Sequence, residues 1–320
     1  MTRLGVAQGQ LSDSLVAQRA VIPRALRVFG EVEVLPVEAG MAALESLAPD
    51  IVYHAARGAR EREQLAANLE AGRTPFTGCS AAAHAHAASR EHMKEALGAR
   101  LIPSAAFTVV RDVSHLEPLT RRGFPLVVFR ATDVFEATDC VVVESVAELN
   151  REIENRLAAS SEAVFVERYL PGAVFACTVL GNGADRVVLP PVSLATEVDP
   201  GESTRVSHVP EGLREGVERV VLETCRALDL RDFARVDLAL SERGVPHVIS
   251  VDAIPDPTGG ATNPVLLAAE GTGLDQVELI QRVLHAAAKR SGVALPSSPM
   301  FDDLRYRTPP RGLRIRARHA

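Results

Sequence analysis

Residues 232–257 read DFARVDLALSERGVPHVISVDAIPDP. Two apolar runs flank SERG, a spacing that predicts a β-hairpin. Along the first strand Arg235, Asp237 and Ala239 share one face, because successive side chains alternate, and Val236, Leu238 and Leu240 share the other. On the return strand Ser250 and Asp252 share a face, with Ile249 and Val251 opposite. If paired residues have numbers that sum to an odd value, Arg235, Asp237, Ser250 and Asp252 fall on one surface and the apolar faces coincide. A one-residue slip would separate them, so the odd register is expected. Two carboxylates, an arginine and a serine then converge. Hard cations such as magnesium take carboxylate oxygens, and arginine suits an anionic intermediate. The competing interpretation is an Arg–Asp pair on an exposed sheet face. Beyond Asp252 the chain enters IPDPTGG (254–260), a stiff, turn-rich loop facing the strand tip.

The chain has 320 residues, 47% hydrophobic and 24% charged, enough apolar material for more than one core. A net charge of -6 argues against a general nucleic-acid binder. No apolar run approaches the ~20 residues of a membrane span, and MTRLGVAQGQLSDS lacks a signal pattern. Cys79, Cys140, Cys177 and Cys225 are widely spaced, which reads as buried thiols in a reducing cytoplasm and not as a zinc site. Among the 35 basic residues only Lys94 and Lys289 are lysines, so chemistry that needs a lysine has almost none to draw on.

The first stretch alternates strand-like runs (4–7, 31–37, 50–54) with helical ones (15–29, 41–47, 59–71), which predicts a parallel sheet with covering helices. An Ala-rich helix is expected from Cys79 to about Gly98. Strand-like runs follow at 105–110, 124–130, 139–144, 163–170, 173–181 and 186–195, with a helix over 146–157. Residues 196–210 read as a loop, 211–228 as an amphipathic helix and 263–291 as helix interrupted at GTG. The tail after Leu295 is rich in Pro and Arg and reads as a flexible basic segment.

The order of these motifs resembles the D-alanine–D-alanine ligases and the wider ATP-grasp superfamily of carboxylate–amine ligases. The similarity runs over most of residues 1–290. It is carried by YHAARGAREREQLAANLE, TPFTGCSAAAHAHAASREHMKEALGARLIP, GFPLVVFR, VFVERYLPGAVFACTVLG, DFARVDLAL, HVISVDAIPDP and NPVLLAAEGTGL, in family order and near-family spacing. The resemblance implies an ATP-grasp fold behind an open α/β N-terminal domain. It divides the chain into residues 1–80, a central subdomain 81–170, a C-terminal subdomain 171–295 and a basic tail 296–320. It also implies ATP and Mg2+ as cofactors, small amino-acid-like substrates, an acyl phosphate formed on one carboxylate and displaced by an amine, and a homodimer. Residue by residue it puts Glu167, Arg168 and Leu170 on the segment that holds adenine. Arg235 falls on the arginine that steadies the tetrahedral intermediate, Asp237 on the first magnesium carboxylate, and Asn263 near the residue that grips a substrate carboxylate.

The chain departs from the family at several of these points. Arg90 stands where the family has a lysine after the TG turn, and Phe129 and Arg130 stand in the segment that carries a second phosphate-binding lysine. ATDVFEATD replaces a Gly- and Ser-rich loop that cradles phosphate with backbone N–H groups. Val174 replaces the acid that grips ribose, Ser250 the bridging glutamate, and Asp252 an asparagine, while GQLSDS offers no clear match to a substrate-positioning glutamate. Arg90 and Arg130 can hold phosphate in place of lysine, and Asp237 with Asp252 leaves two carboxylates for a single metal ion. The alternative function is a catalytically degenerate ATP-grasp protein that binds a ligand or partner. A dinucleotide-binding dehydrogenase would need GxGxxG, which is missing.

His54 ends a parallel strand, where α/β ligands bind, and matches the family's His-Gly segment; the competing interpretation is a satisfied loop histidine. His84 and His86 sit two apart and face different sides of a helix. Cys79, at a helix start, has no basic partner and reads as structural. Glu202 and Arg205, in the long loop, read as solvated.

Overall fold

The computed structural model describes residues 2–8, 18–36, 44, 46–111, 123–130, 140–160, 162–194, 205–206, 209, 211–260 and 262–296. Expectations for GQLSDS, ATDVFEATD, Glu202 and the tail lie outside these residues, as do those for the side chains of Arg130 and Arg205.

Strand β1 (Thr2–Gln8), helix α1 (Val21–Leu26), β2 (Gly30–Pro36) and β3 (Ile51–His54) open the chain. The three strands are parallel in the order β2–β1–β3, as the alternation predicts. Gly30 is required where β1 and β2 begin, because a Cβ there would lie 1.9 Å from the Thr2 carbonyl oxygen. β3 is buried along its whole length. Its sheet edge is continued by the 75–77 segment: Val52 N donates to Pro75 O and Thr77 N to Val52 O.

Helices α2 (Ala59–Ala71), α3 (Ala81–Ala88) and α4 (Arg90–Gly98) follow. The single helix expected over 79–98 is broken at Ser89. That residue takes extended backbone angles (φ -117°, ψ 113°) and its hydroxyl accepts from His92 N at 3.2 Å. A serine competes for backbone donors and so favours a cap over a helix interior.

The central sheet comprises β4 (Phe107–Val110), β5 (Leu126–Arg130), β6 (Val141–Val143) and, after α5 (Val146–Ala159), β7 (Val164–Arg168). It is antiparallel in the order β4–β7–β5–β6. One face packs Val110, Leu126, Val128, Val164 and Val166 against Leu149 and Ile153 of α5. Alternation sends Phe107, Phe129, Phe165 and Glu167 to the other face.

The third sheet contains β8 (Val174–Leu180), β9 (Val187–Val188), β10 (Val192–Leu194) and β11 (Arg205–Val206). After α6 (Glu211–Ala227) come β12 (Phe233–Leu240) and β13 (Pro246–Asp252). The order is β11–β10–β8–β12–β13, with β9 also pairing β8. Val236, Leu238, Val248 and Val251 are buried against Val217, Val220, Val221 and Cys225 of α6. Helices α7 (Pro264–Glu270) and α8 (Gln276–Ser291) end the described chain. A capping box between Asp275 and Glu278 starts α8. Leu279, Val283 and Leu284 of α8 share one core with Leu4, Val6, Ile22 and Leu26, so the last helix closes over the first sheet. No helix among the described residues is long and apolar enough to cross a membrane.

Asp232 joins these parts. It is fully buried and holds a positive φ of 60° at the entrance to β12. Its carboxylate accepts from Gly78 N at 2.8 Å, Asn182 Nδ2 at 2.6 Å, and Arg290 Nε and Nη2 at 3.0 and 2.8 Å. Arg290 Nη2 also reaches Phe76 O at 2.7 Å. Asp232→Ala would leave a half-buried guanidinium and a buried N–H unpaired. The expected loss is about 3–5 kcal/mol of unfolding free energy in a denaturant titration, the range for breaking a buried ion pair from one side.

Candidate functional site

The hairpin adopts the odd register where it matters. Arg235 pairs with Asp252, Val236 with Val251 and Asp237 with Ser250. A β-bulge follows: Leu238 pairs with Val248, so Ile249 is the extra residue. The bulge lets the apolar side of both strands reach α6 while the four polar groups stay together.

Asp237 is 5% exposed. Arg235 Nε lies 3.0 Å from its Oδ1, Arg235 Nη2 donates to Oδ2 at 3.2 Å, and Ser250 Oγ donates to the same Oδ2 at 2.7 Å. Oδ1 is buried and has no hydrogen-bond partner. Burial raises the Asp237 pKa above the ordinary carboxylate value and outweighs Arg235 and Ser250, which lower it. Asp252 Oδ1 accepts from Arg62 Nη1 of α2 at 2.9 Å and from Ile254 N at 3.1 Å. No cluster of three or more His, Cys, Asp or Glu that could hold a metal occurs among the described residues. The donor set fits one magnesium ion, which takes one or two carboxylates and fills its shell with water and phosphate oxygens. Oδ1 of Asp237, in ion-pair range of Arg235 but without a hydrogen bond, is the acceptor open to such an ion.

On the aromatic face of the central sheet the rings form a ladder. Phe107 stacks on Phe165 with centroids 5.0 Å apart, and Phe165 on Phe129 at 5.2 Å. Arg90 lies over Phe129 at 4.3 Å, and its Nη1 donates to Ile249 O at 3.1 Å. The phenylalanine at 129 thus leaves a flat surface where the resemblance implies a lysine, and Arg90 covers it. Glu167 is 6% exposed and forms an ion pair of 2.6 Å with Lys94. Lys94 Nζ also donates to Ala105 O at 3.1 Å. Burial lowers the Lys94 pKa, against the opposing pull of Glu167. Arg168 is exposed and Leu170 half-buried at the end of β7, and Val174 opens β8 half-buried.

His54 is 1% exposed. Its Nε2 pairs with Arg62 O at 3.1 Å, its Nδ1 has no partner, and its ring stacks on His84 with centroids 5.3 Å apart. His84 is buried and His86 exposed, on opposite sides of α3 as expected. Cys79 is fully buried, and burial pushes its thiol up to about 12, as befits a structural cysteine. Asn263 caps α7 by accepting from Val265 N at 2.9 Å, and its Nδ2 donates to Asp256 O at 2.8 Å. Asp256 pairs with Arg19 Nη2 at 2.9 Å and accepts from Thr258 N and Oγ1 at 2.9 and 2.5 Å. Against the upward push of burial, Arg19 and Thr258 hold Asp256 below the ordinary carboxylate range.

Three residues of the site escape a reading of sequence alone: Arg62, Arg19 and Lys94. Arg62 is one of four arginines in 57–62, 73 and their neighbourhood, and nothing in that charged helix marks which one meets Asp252, 190 positions away. Lys94 carried a signal, its rarity as one of two lysines.

The family described as D-ala D-ala ligase C-terminus matches residues 104–285, more than half of the chain. This chain belongs to that family. Among proteins it resembles, a D-alanine–D-alanine ligase of Clostridium botulinum is 25% identical over 227 residues, 67% of this chain and 73% of that one. A D-alanine–D-alanine ligase of Nitrosococcus oceani is 28% identical over 234 residues, 69% of this chain and 72% of that one. A crystal structure of the D-alanine–D-alanine ligase from Bacillus anthracis, complexed with ATP, superposes with a TM-score of 0.73 at 20% identity and covers 91% of this chain and 99% of that one. The fold is therefore ATP-grasp, with mixed parallel and antiparallel sheets.

The histidine pair makes the fold sensitive to acid. Burial lowers His54 from 6.5 to about 4, with the charges of Arg62 and Arg19 acting in the same direction. Burial also lowers His84, aided by His54, Arg62 and Arg231. The unfolded chain binds these protons first, so stability is full above pH 6.5 and falls as pH drops towards 4. His54 alone accounts for roughly 3 kcal/mol of that loss. His84→Phe keeps a ring against His54 and removes one titrating group, so the acid limb of a stability-versus-pH curve should flatten.

Proposed function

We propose that the chain is an ATP-dependent carboxylate–amine ligase of the D-alanine–D-alanine ligase family. One carboxylate is activated as an acyl phosphate and an amine then displaces phosphate. The observation that carries this reading is the polar face of β12 and β13. There Arg235 lies 3.0 Å from Asp237, whose second oxygen is held by Ser250, with Asp252 paired opposite Arg235. An apolar exchange would cost nothing on an unused sheet face, whereas here two buried acids are kept beside a half-buried arginine.

Asp237 and Asp252 would hold the magnesium ion, which when bound neutralises phosphate oxygens. Arg235 presents a fixed guanidinium to the anion that develops when amine adds to the activated carboxyl. Arg90, 4.3 Å over Phe129 and tied to the carbonyl of the bulge residue, supplies positive charge between the central and C-terminal sheets. Nucleotide would lie in that cleft, with the substrate near His54 and Asn263. Small amino-acid-like substrates, a cytoplasmic location and a homodimer complete the reading. The family relationship supports them, and the widely spaced cysteines fit a reducing compartment.

A degenerate binding protein is the second reading. The observation in its favour is that Asp237 and Asp252 are each paired with an arginine and that Phe129 replaces a lysine. Phosphate release from magnesium-ATP across a panel of D- and L-amino acids separates the two. The ligase should release phosphate with at least one amino acid. Asp237→Asn and Arg235→Met should each lower that rate by roughly 100-fold or more, the loss typical of removing one transition-state contact. Absence of phosphate release, together with no thermal shift from magnesium-ATP, would establish the degenerate reading.

A further inference from the structure

Strand β2 lies at the margin of the first sheet. The order is β2–β1–β3, and no second strand among the described residues pairs with β2. An edge strand presents a row of N–H and C=O groups that another extended segment can pair with. The side chains along this edge differ between its two faces. Glu31 and Glu33 are exposed on one face. On the other, Val32 is half-buried against the core that α8 shares, and Val34 is 42% exposed. A segment that fits this edge carries positive charge on one face and apolar groups on the other.

The chain itself carries such a segment. Residues 313–318 read LRIRAR, preceded by the turn-forming PPRG of 309–312. On extended backbone Arg314, Arg316 and Arg318 would share one face, and Leu313, Ile315 and Ala317 the other. We propose that residues 313–318 add to the outer edge of β2 of their own chain, with the arginines beside Glu31 and Glu33, and Leu313 and Ile315 beside Val32 and Val34. Both patterns have a period of 2, so one register satisfies both faces and a one-residue slip spoils both. In strand addition of this kind main-chain hydrogen bonds supply affinity and the alternating side chains supply selectivity.

The described residues end beside the same core. Val293 and Leu295, just after α8, pack on the cluster that Val32 joins. Residues 297–312, at about 3.3 Å each when extended, reach ~50 Å. That exceeds the width of a three-stranded sheet, whose strands lie about 4.8 Å apart, so the segment can reach β2. A second copy of β2 is the poorer occupant. Antiparallel pairing would set Glu31 and Glu33 against the same two acids, and like charges opposite one another destabilise a strand pair. The pairing is independent of the ligase reading, because no residue assigned to the cleft lies on β2.

Amide hydrogen exchange of the full chain tests this, read by mass spectrometry over residues 30–36. Reversing the three charges together (Arg314→Glu, Arg316→Glu and Arg318→Glu) should speed exchange there by about tenfold or more. Adding Glu31→Arg and Glu33→Arg to that variant should restore the slow exchange, since the pairs are re-formed with opposite sign. Glu31 and Glu33 are exposed, so the fold tolerates the swap. Ile315→Pro leaves the charge unchanged but removes a ladder donor, and should speed exchange as the charge reversal does. Salt at about 1 M, where screening acts beyond ~3 Å, should also weaken the protection. Unchanged exchange in the charge-reversed chain, or no recovery on the swap, would overturn the proposal. So would protection that rises with protein concentration, which would make this edge an interface between copies.

Discussion

The buried carboxylate of Asp232 is the interaction on which the placement of the site depends. It receives donors from the 76–78 turn, from the end of β8 and from α8, and it sits directly before the strand that carries Arg235 and Asp237. An ionised group in that position is tolerable only because four donors surround it. The same requirement makes it a strong constraint. Gly78, at φ 93°, must present its N–H to Asp232, which brings the loop after β3 against the third sheet. His54 and Thr77 are thereby set beside the loop that follows β13.

Charge pairing across elements is the second organising feature. Asp237 meets Arg235 on its own strand, Asp252 meets Arg62 of α2, and Asp256 meets Arg19. Each acid of the cleft is neutralised by the chain itself, and two of the three pairs span the N-terminal and C-terminal portions. Such pairs add little net stability once desolvation is counted. Their geometric effect is larger, since a guanidinium fork fixes the orientation of the acid it holds. The acids and arginines of the cleft are thereby held in fixed orientations. The Arg90–Phe129–Phe165–Phe107 ladder plays a comparable part on the central sheet, where stacked rings keep that face flat beside buried Glu167 and Lys94.

Much of this was legible from local pattern. The alternation of short apolar runs and amphipathic stretches marked the parallel first sheet, and helix α2 falls on residues 59–71 as its spacing predicts. The odd register of β12 and β13 followed from matching apolar faces, because a buried face penalises any slip. The break at Ser89 was not read, since the alanines around it have high helix propensity and the serine's capping bond appears only once His92 is in place. The bulge at Ile249 was also unread: an extra residue leaves the apolar count on the strand unchanged and shows only in the pairing.

Sequence alone determined which residue types share a strand face and which runs become strands or helices, because the periods of 2 and 3.6 are properties of the backbone itself. It also placed Arg235, Asp237, Ser250 and Asp252 on one surface. Tertiary structure alone decided their partners. Arg62 reaches Asp252 across 190 residues and Arg19 reaches Asp256 across 237. An arginine fork can serve any carboxylate within reach, so composition cannot say which of many arginines does so. Only the packing that Asp232 and α8 impose brings those particular side chains together.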